Sequence, residues 1–305
     1  MINQLLSQKI KTIKKKDDDY PLLLKEILDA PEKIFFLGNL QSKQINDKFK
    51  IAIVGTRRAT SDGRTLAKEL AKKLAENGVI IVSGLAMGID TAAHQGTIEA
   101  NGKTIAVLAN GLDSIYPAQN ENLAKKILEF GGAIISEYPP GTPAYQNQFL
   151  ERNRIVSGLC DATIIIEAPE RSGSLVTARL AAEQGREVLV FPGPLRYPNY
   201  KGSHKLIRDG ARLVTSIEDI IEDLGLNSNK DKQKEKNGGA TKLPLNNFAT
   251  GEEKLILKII KNSNQPLGID RIIKLTKLEP QKVNQIITFS IIKGMIKETE
   301  KGYTF

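Results

Sequence analysis

One cysteine and two histidines are all that this chain offers to disulfides, metals or imidazole catalysis. Cys160 stands alone in a mixed segment, so no disulfide framework is available and a reducing compartment fits. His94 and His204 together with one thiol give no metal-ligand spacing, and no metal site is expected. No apolar run approaches the ~18 residues of a membrane span. Met1 to Leu6 lacks the basic-then-apolar order of a signal peptide. A cytoplasmic protein without membrane association is the expectation. The usual nucleotide fingerprints are also missing. Gly84-x-x-x-Gly88 has no Lys-Ser/Thr behind it, and the turn at Gly55 lacks Gly-x-Gly-x-x-Gly. No cofactor is expected.

What is present is a chain of 305 residues, 40% hydrophobic, long enough for a sizeable core and two domains. Its net charge of +9 and pI near 9.4 hint at nucleic acid. That excess is unevenly spread. Residues 49–225 hold 20 Lys and Arg against 20 Asp and Glu; residues 1–48 hold 9 against 7. Residues 226–250 hold 5 against 2, and residues 251–305 hold 10 against 6. Any polyanion site in the central region must therefore come from a few placed cations.

Four regions follow. Residues 1–48 read as a short helical N-terminal extension. It begins with a polar lead-in where Lys14-Lys15-Lys16 and Asp17-Asp18-Asp19 are most simply solvated. A short helix and turn over residues 20–40 come next. Residues 49–225 alternate strands and helices, with strands predicted at 50–56, 79–82, 104–108, 133–136, 162–167, 187–191 and 212–215. That alternation predicts an α/β fold with a doubly wound, mostly parallel sheet. Residues 226–250, polar and rich in Lys, Asn and Gly, read as a flexible linker. Residues 251–305 suggest three helices and a hairpin, the winged-helix pattern.

In such sheets ligands bind beyond the carboxyl ends of the strands, and the unusual residues gather there. Ser83 and Gly84 end a β-branched run, and Gly88 precedes a helix that starts near Asp90. Strand, glycine loop and helix start suit an anion such as phosphate, because the first helical N–H groups are unpaired. They equally suit a tight turn without a ligand. Gly84 and Gly88 would let the backbone turn sharply and come close to something else, and Asp90 is expected to cap the helix. Gly55-Thr56-Arg57-Arg58 places two guanidinium groups after the first core strand, suited to bidentate phosphate contact. In the stretch from Phe149 to Arg154, Phe149 could stack on a base while Arg152 and Arg154 grip phosphate and Asn153 hydrogen-bonds either. The same stretch also reads as an amphipathic helix with Phe149 in the core. Ser172-Gly173-Ser174 with Thr177 offers hydroxyls and N–H groups at another helix start, and Ser172 alone reads as an N-cap. No Gly-x-Ser-x-Gly elbow surrounds it, so no catalytic residue is expected.

Together these blocks resemble the DNA-processing protein A family. The resemblance rests on Gly55-Thr56-Arg57-Arg58, Ser83-Gly84-Leu85-Ala86-Met87-Gly88-Ile89-Asp90, Asn110-Gly111, Tyr116-Pro117 and Ser136-Glu137. It continues through Arg152-Asn153-Arg154-Ile155, Ser172-Gly173-Ser174-Leu175 and Pro192-Gly193, in order over about residues 20–215. It implies an extended Rossmann-like domain that binds single-stranded DNA without sequence preference, forms a homodimer and is not an enzyme. It also implies a recombination mediator that protects incoming single strands in natural transformation. Such a protein would help load the RecA recombinase past single-strand-binding protein. Carried over by position, the DNA contacts would be the Gly55–Arg58 turn, the Ser83, Gly84 and Gly88 loop, Phe149 with Arg152-Asn153-Arg154, the Ser172-Gly173-Ser174 turn and Lys205. His204 stands where the family usually has Asn.

Two other classes fit parts of the chain. Nucleotide-processing hydrolases of the lysine-decarboxylase-like group have a similar architecture, but their Pro-Gly-Gly-x-Gly-Thr loop is absent, and Glu183 is the only nearby candidate for the catalytic Glu that follows it. A nucleotide-sensing winged-helix regulator would read duplex DNA through residues 280–293. There Lys282, Asn284, Gln285 and Lys293 are few for sequence readout.

Overall fold

A computed structural model describes residues 10–40, 47–226 and most of 256–304. The chain divides into two compact units, residues 1–227 and 228–305. In chain order the first contains β1 (Lys11–Lys14), α1 (Leu22–Glu26), β2 (Lys33–Gly38), β3 (Lys50–Val54), α2 (Ser61–Glu76) and β4 (Ile80–Ser83). Next come α3 (Ile89–Glu99), β5 (Thr104–Leu108), α4 (Glu121–Glu129), β6 (Ala133–Ser136), α5 (Gln146–Gly158) and β7 (Ala162–Ile165). The unit ends with α6 (Gly173–Glu183), β8 (Glu187–Val190), α7 (Lys201–Arg208), β9 (Arg212–Leu213) and α8 (Ile217–Asp223).

Every residue of β3, β4, β5, β6 and β7 is buried. These strands read as unbroken apolar runs because helices cover both faces of a parallel sheet. Successive side chains point to opposite faces. Ala52 and Val54 therefore join one cluster with Val82, Val107, Ile155 and Val156. Ile51 and Ile53 join the other with Leu70, Leu74, Ile81 and Ala93. Helix α5 packs on the first face, α2 and α3 on the second.

The strand order is β1-β2-β6-β5-β4-β3-β7-β8-β9. Pairing is parallel from β6 to β9 and antiparallel for β1–β2 and β2–β6. From β3 the chain steps outward one way through β4, β5 and β6, then returns to the other side with β7. The reversal between β3 and β7 is the topological switch point, where the connecting loops separate and leave a crevice.

The N-terminal region is not the helical extension that its charge pattern suggests. Among the described residues of this region only Leu22–Glu26 is an α-helix; β1 and β2 extend the sheet as an antiparallel pair, with Ile13 opposite Ile34 and Lys11 opposite Phe36. Ile13, Ile34, Phe35 and Leu37 are buried. The Lys33 ammonium lies 4.6 Å from the Phe35 ring centroid, and Lys11 lies 5.9 Å from that of Phe36. Lysine stems cover aromatic surface while their charges stay in water. A strand can carry the lysines that made the stretch look like a solvated helix.

The second unit holds α9 (Ile269–Thr276), α10 (Pro280–Ile292) and the antiparallel pair β10 (Lys297–Thr299) and β11 (Gly302–Thr304). Ile256, Ile260, Ile272, Val283, Ile287 and Ile296 form its own apolar cluster. The expected linker at 226–250 lies outside the described residues apart from Leu226.

Candidate nucleic-acid interface

At the switch point the carboxyl ends of β3 and β7 open into a cleft of about 550 Å³. One wall is the turn after β3. Its backbone is tied on three sides: Thr56 N donates to Glu167 O at 2.7 Å, Arg58 N to Thr56 Oγ1 at 3.2 Å, and Asn199 Nδ2 to Arg58 O at 3.2 Å. The exposed side chains of Arg57 and Arg58 thus leave from a fixed backbone.

The facing wall is one stripe of α5. Phe149, Arg152, Asn153 and Val156 recur at the spacing that puts side chains on one side of a helix, and all four line the cleft. The Arg57 guanidinium sits 4.9 Å from the Phe149 ring centroid, a cation–π contact. The Phe149 ring in turn lies 5.4 Å from that of Tyr116, tilted by 56°. Arg57 is therefore held beside an aromatic pair, and Phe149 is half-buried rather than sunk in the core.

The floor is the start of α6. Ser172 caps it, accepting from Ser174 N at 3.3 Å, and the two hydroxyls meet at 2.7 Å. Asn153 Nδ2 donates to Gly173 O at 3.2 Å, which joins α5 to this turn. Arg171, one residue ahead, is exposed and also lines the cleft. Among the described residues, Asp90 is the only acidic side chain in the lining.

The residues picked out from the sequence separate into two groups. Gly55, Thr56, Arg57, Arg58, Gly84, Phe149, Arg152, Asn153, Ser172, Gly173 and Ser174 all line this cleft. Four others do not. Ser83 is fully buried and donates its hydroxyl to Ile53 O at 2.7 Å, stitching β4 to β3. Gly88 has φ of +85°, and a Cβ there would collide with Thr56 O, so it serves the turn. Arg154 is held by Glu137 at 2.6 Å and Asp29 at 3.1 Å. Lys205 lines a separate hollow between α6, α7 and β8.

Arg152 also has a different role from the one its spacing suggests. It is 4% exposed, and its Nη1 donates to Gly84 O at 2.8 Å and to Val107 O. A Cβ on residue 84 would lie 2.5 Å from that guanidinium. Gly84 makes room for Arg152. Burial brings Arg152 down to about 10, with the nearby Asp90 opposing, so it remains charged at neutral pH. Asp90 does not cap α3, whose N-cap is Gly88. Its carboxylate accepts from Gly84 N at 3.0 Å and Ala86 N at 3.4 Å, closing the loop instead. Burial raises the Asp90 carboxyl above the usual range, against Arg152 and the loop N–H groups.

His94 is an internal group. Thr104 Oγ1 donates to Ile81 O at 2.7 Å, so the His94 Nδ1–H donates to Thr104 Oγ1 at 2.8 Å. Burial, reinforced by Arg152, lowers His94 to about 3, and the ring is neutral. Sequence reasoning omitted Arg171, Gln146 and Tyr116 from the site. Arg171 carried a signal, because it precedes the Ser172 turn at the end of a core strand.

A mostly parallel, doubly wound sheet with a basic, aromatic-lined cleft at its switch point defines a Rossmann-like fold. The chain belongs to the family of DNA recombination-mediator protein A, whose family model matches residues 11–225. It is 45% identical over 205 residues to Protein Smf of Escherichia coli, a match covering 67% of this chain and 54% of that protein. It thus spans about half the length of that relative. With the DNA processing protein DprA of Bacillus subtilis it shares 43% identity over 217 residues, covering 71% and 72%. The X-ray structure of DprA from Streptococcus pneumoniae superposes with a TM-score of 0.65 at 42% identity, covering 70% of this chain and 74% of that one. A Helicobacter pylori structure, described for the single-stranded DNA binding mode of DNA processing protein A, gives 0.64 at 32% identity, covering 72% and 97%.

Proposed function

We propose that the chain binds single-stranded DNA without sequence preference in the cleft between β3, β7 and α5, as a recombination mediator and not as an enzyme. The observation that carries this reading is the free charge in the cleft. Arg57, Arg58 and Arg171 are exposed, and among the described residues none of them makes an ion pair. The lone acid, Asp90, is turned to the Gly84 and Ala86 N–H groups. Three guanidinium groups beside the Phe149–Tyr116 pair suit a flexible strand, whose phosphates pair with arginine while a base stacks on a ring. Each such stack contributes roughly 1–3 kcal/mol regardless of base. The Helicobacter pylori relative, named for its single-stranded DNA binding, supports the choice of ligand.

The finer parts of the reading follow from the family. The DNA-bound form protects incoming single strands in transformation and helps load RecA recombinase past single-strand-binding protein, in the cytoplasm. The open edge at β9, with Leu213 48% exposed, suits a second copy of the chain and a homodimer. The α9, α10 and hairpin arrangement suits a winged helix that adds electrostatic affinity through a basic linker at 226–250.

Comparing single-stranded and duplex oligonucleotides across salt, with the full chain and with residues 226–305 removed, tests the proposal. Both proteins should prefer the single strand, with log K falling by about 0.7 per phosphate contacted for each unit of log salt. Loss of all single-strand binding on truncation would move the site out of the cleft.

A further inference from the structure

The lysines that the cleft does not use lie on the same edge of the sheet. Phe35 of β2 pairs with Ser136, the last residue of β6, so Lys33 extends past the carboxyl end of the parallel strands. Lys14 pairs with Lys33. The antiparallel hairpin therefore turns the end of β1, with Lys15 and Lys16 just beyond it, toward the edge that carries Arg57. Lys14, Lys15, Lys16 and Lys33 line a hollow of about 370 Å³ in which, among the described residues, Glu32 is the only acid. Among the described residues, none of the four lysines makes an ion pair. Asp17, next along the chain, accepts from the Lys14 backbone N–H at 2.8 Å.

We propose that this cluster is a second contact for the sugar-phosphate backbone, engaged by a strand that leaves the cleft and crosses the carboxyl edge of the sheet. The proposal rests on the cleft being the DNA site. Five strand spacings separate β3 from β1, about 24 Å at ~4.8 Å each. That distance is on the order of seven nucleotides at the ~3.4 Å per nucleotide of one duplex strand. It lies within the roughly 4–16 nucleotides that single-strand sites occupy. Of the acids along this edge, Glu137 after β6 and Asp29 ahead of β2 are both bound by Arg154, and Asp113 after β5 accepts from Gly141 N at 2.6 Å. Arg154 thereby offsets part of the negative charge on the path. Lysine suits such a contact, because a mobile point charge holds a passing phosphate without fixing its orientation.

The test uses the full chain, the triple variant Lys14→Ala/Lys15→Ala/Lys16→Ala and the single variant Arg57→Ala. Fluorescence anisotropy follows oligothymidylates of about five and about twenty nucleotides, lengths that fall short of and exceed the separation. The triple variant should bind the long oligomer at least tenfold more weakly and leave the short one within twofold. Its salt slope on the long oligomer should be shallower by about 2, near 0.7 for each of three lost contacts. Unchanged affinity for the long oligomer would overturn the proposal and leave the cluster to an acidic protein partner. Equal loss for both lengths would overturn it too, since the lysines would then act at the cleft. Arg57→Ala separates the two ideas, because it weakens both lengths if the cleft binds DNA and neither if it does not.

Discussion

Arg152 and His94 take their roles from atoms far away in the chain. The Arg152 guanidinium bonds the carbonyl oxygens of Gly84 and Val107, which are 68 and 45 residues distant. No local pattern distinguishes that strut from the exposed Arg57. Truncating Arg152 to Ala leaves two carbonyls without their donor and Asp90 without its nearby cation, at a cost of about 3 kcal/mol. Urea denaturation should register it as a lower midpoint with unchanged slope, whereas Arg57→Ala should leave the midpoint alone. His94 makes a pH prediction. Its folded value of about 3 lies below the ordinary 6.5, so between those values the unfolded chain binds more protons. Its contribution to stability is full above 6.5 and is lost as pH falls through this window. The loss is about 2 kcal/mol by pH ~5. His94→Gln should flatten that part of the stability profile; a profile as steep as the parent's would assign the acid sensitivity elsewhere.

Thr60 shows how one side chain fixes an element. Its hydroxyl caps α2 by accepting from Gly63 N at 3.0 Å and donates to Glu167 Oε1 at 2.7 Å, while its N–H donates to Oε2 at 2.9 Å. Helix α2, the Arg57 turn and the end of β7 are joined there. Replacing Thr60 by Ala removes a cap worth ~1 kcal/mol and a hydrogen bond to a buried carboxylate worth ~1.5 kcal/mol. Thr60→Ser should keep most of both, and thermal melts of the two variants would separate them. The buried parallel strands were legible in the sequence because double-sided burial leaves unbroken β-branched runs, as in β3 and β4. The antiparallel strands β1, at the sheet edge, and β2 were not. Their lysines sit on the solvent side, where helix and strand tolerate them equally, and β6, which pairs with β2 and joins the two to the sheet, lies about a hundred residues later.

At the scale of the whole molecule, charge and topology divide the labour. The sheet brings Arg57 and Arg58 from β3, Arg171 from the end of β7 and Phe149 from α5 to one crevice, although more than a hundred residues separate the first from the last. A region with no net charge can therefore still gather several cations at one place. The location of the cleft at the carboxyl edge was legible from the alternation of strands and helices. Which side chains face into it was only half legible, since Arg152 and Arg154 share a motif with Asn153 but point to internal partners. The most direct test of the cleft is the affinity of Arg57→Ala for a single-stranded oligonucleotide of about twenty residues, measured by anisotropy beside a melting curve. The expected result is a loss of about 1–3 kcal/mol, roughly tenfold to a hundredfold, with unchanged melting. An affinity equal to the parent's in a protein that melts normally would contradict it.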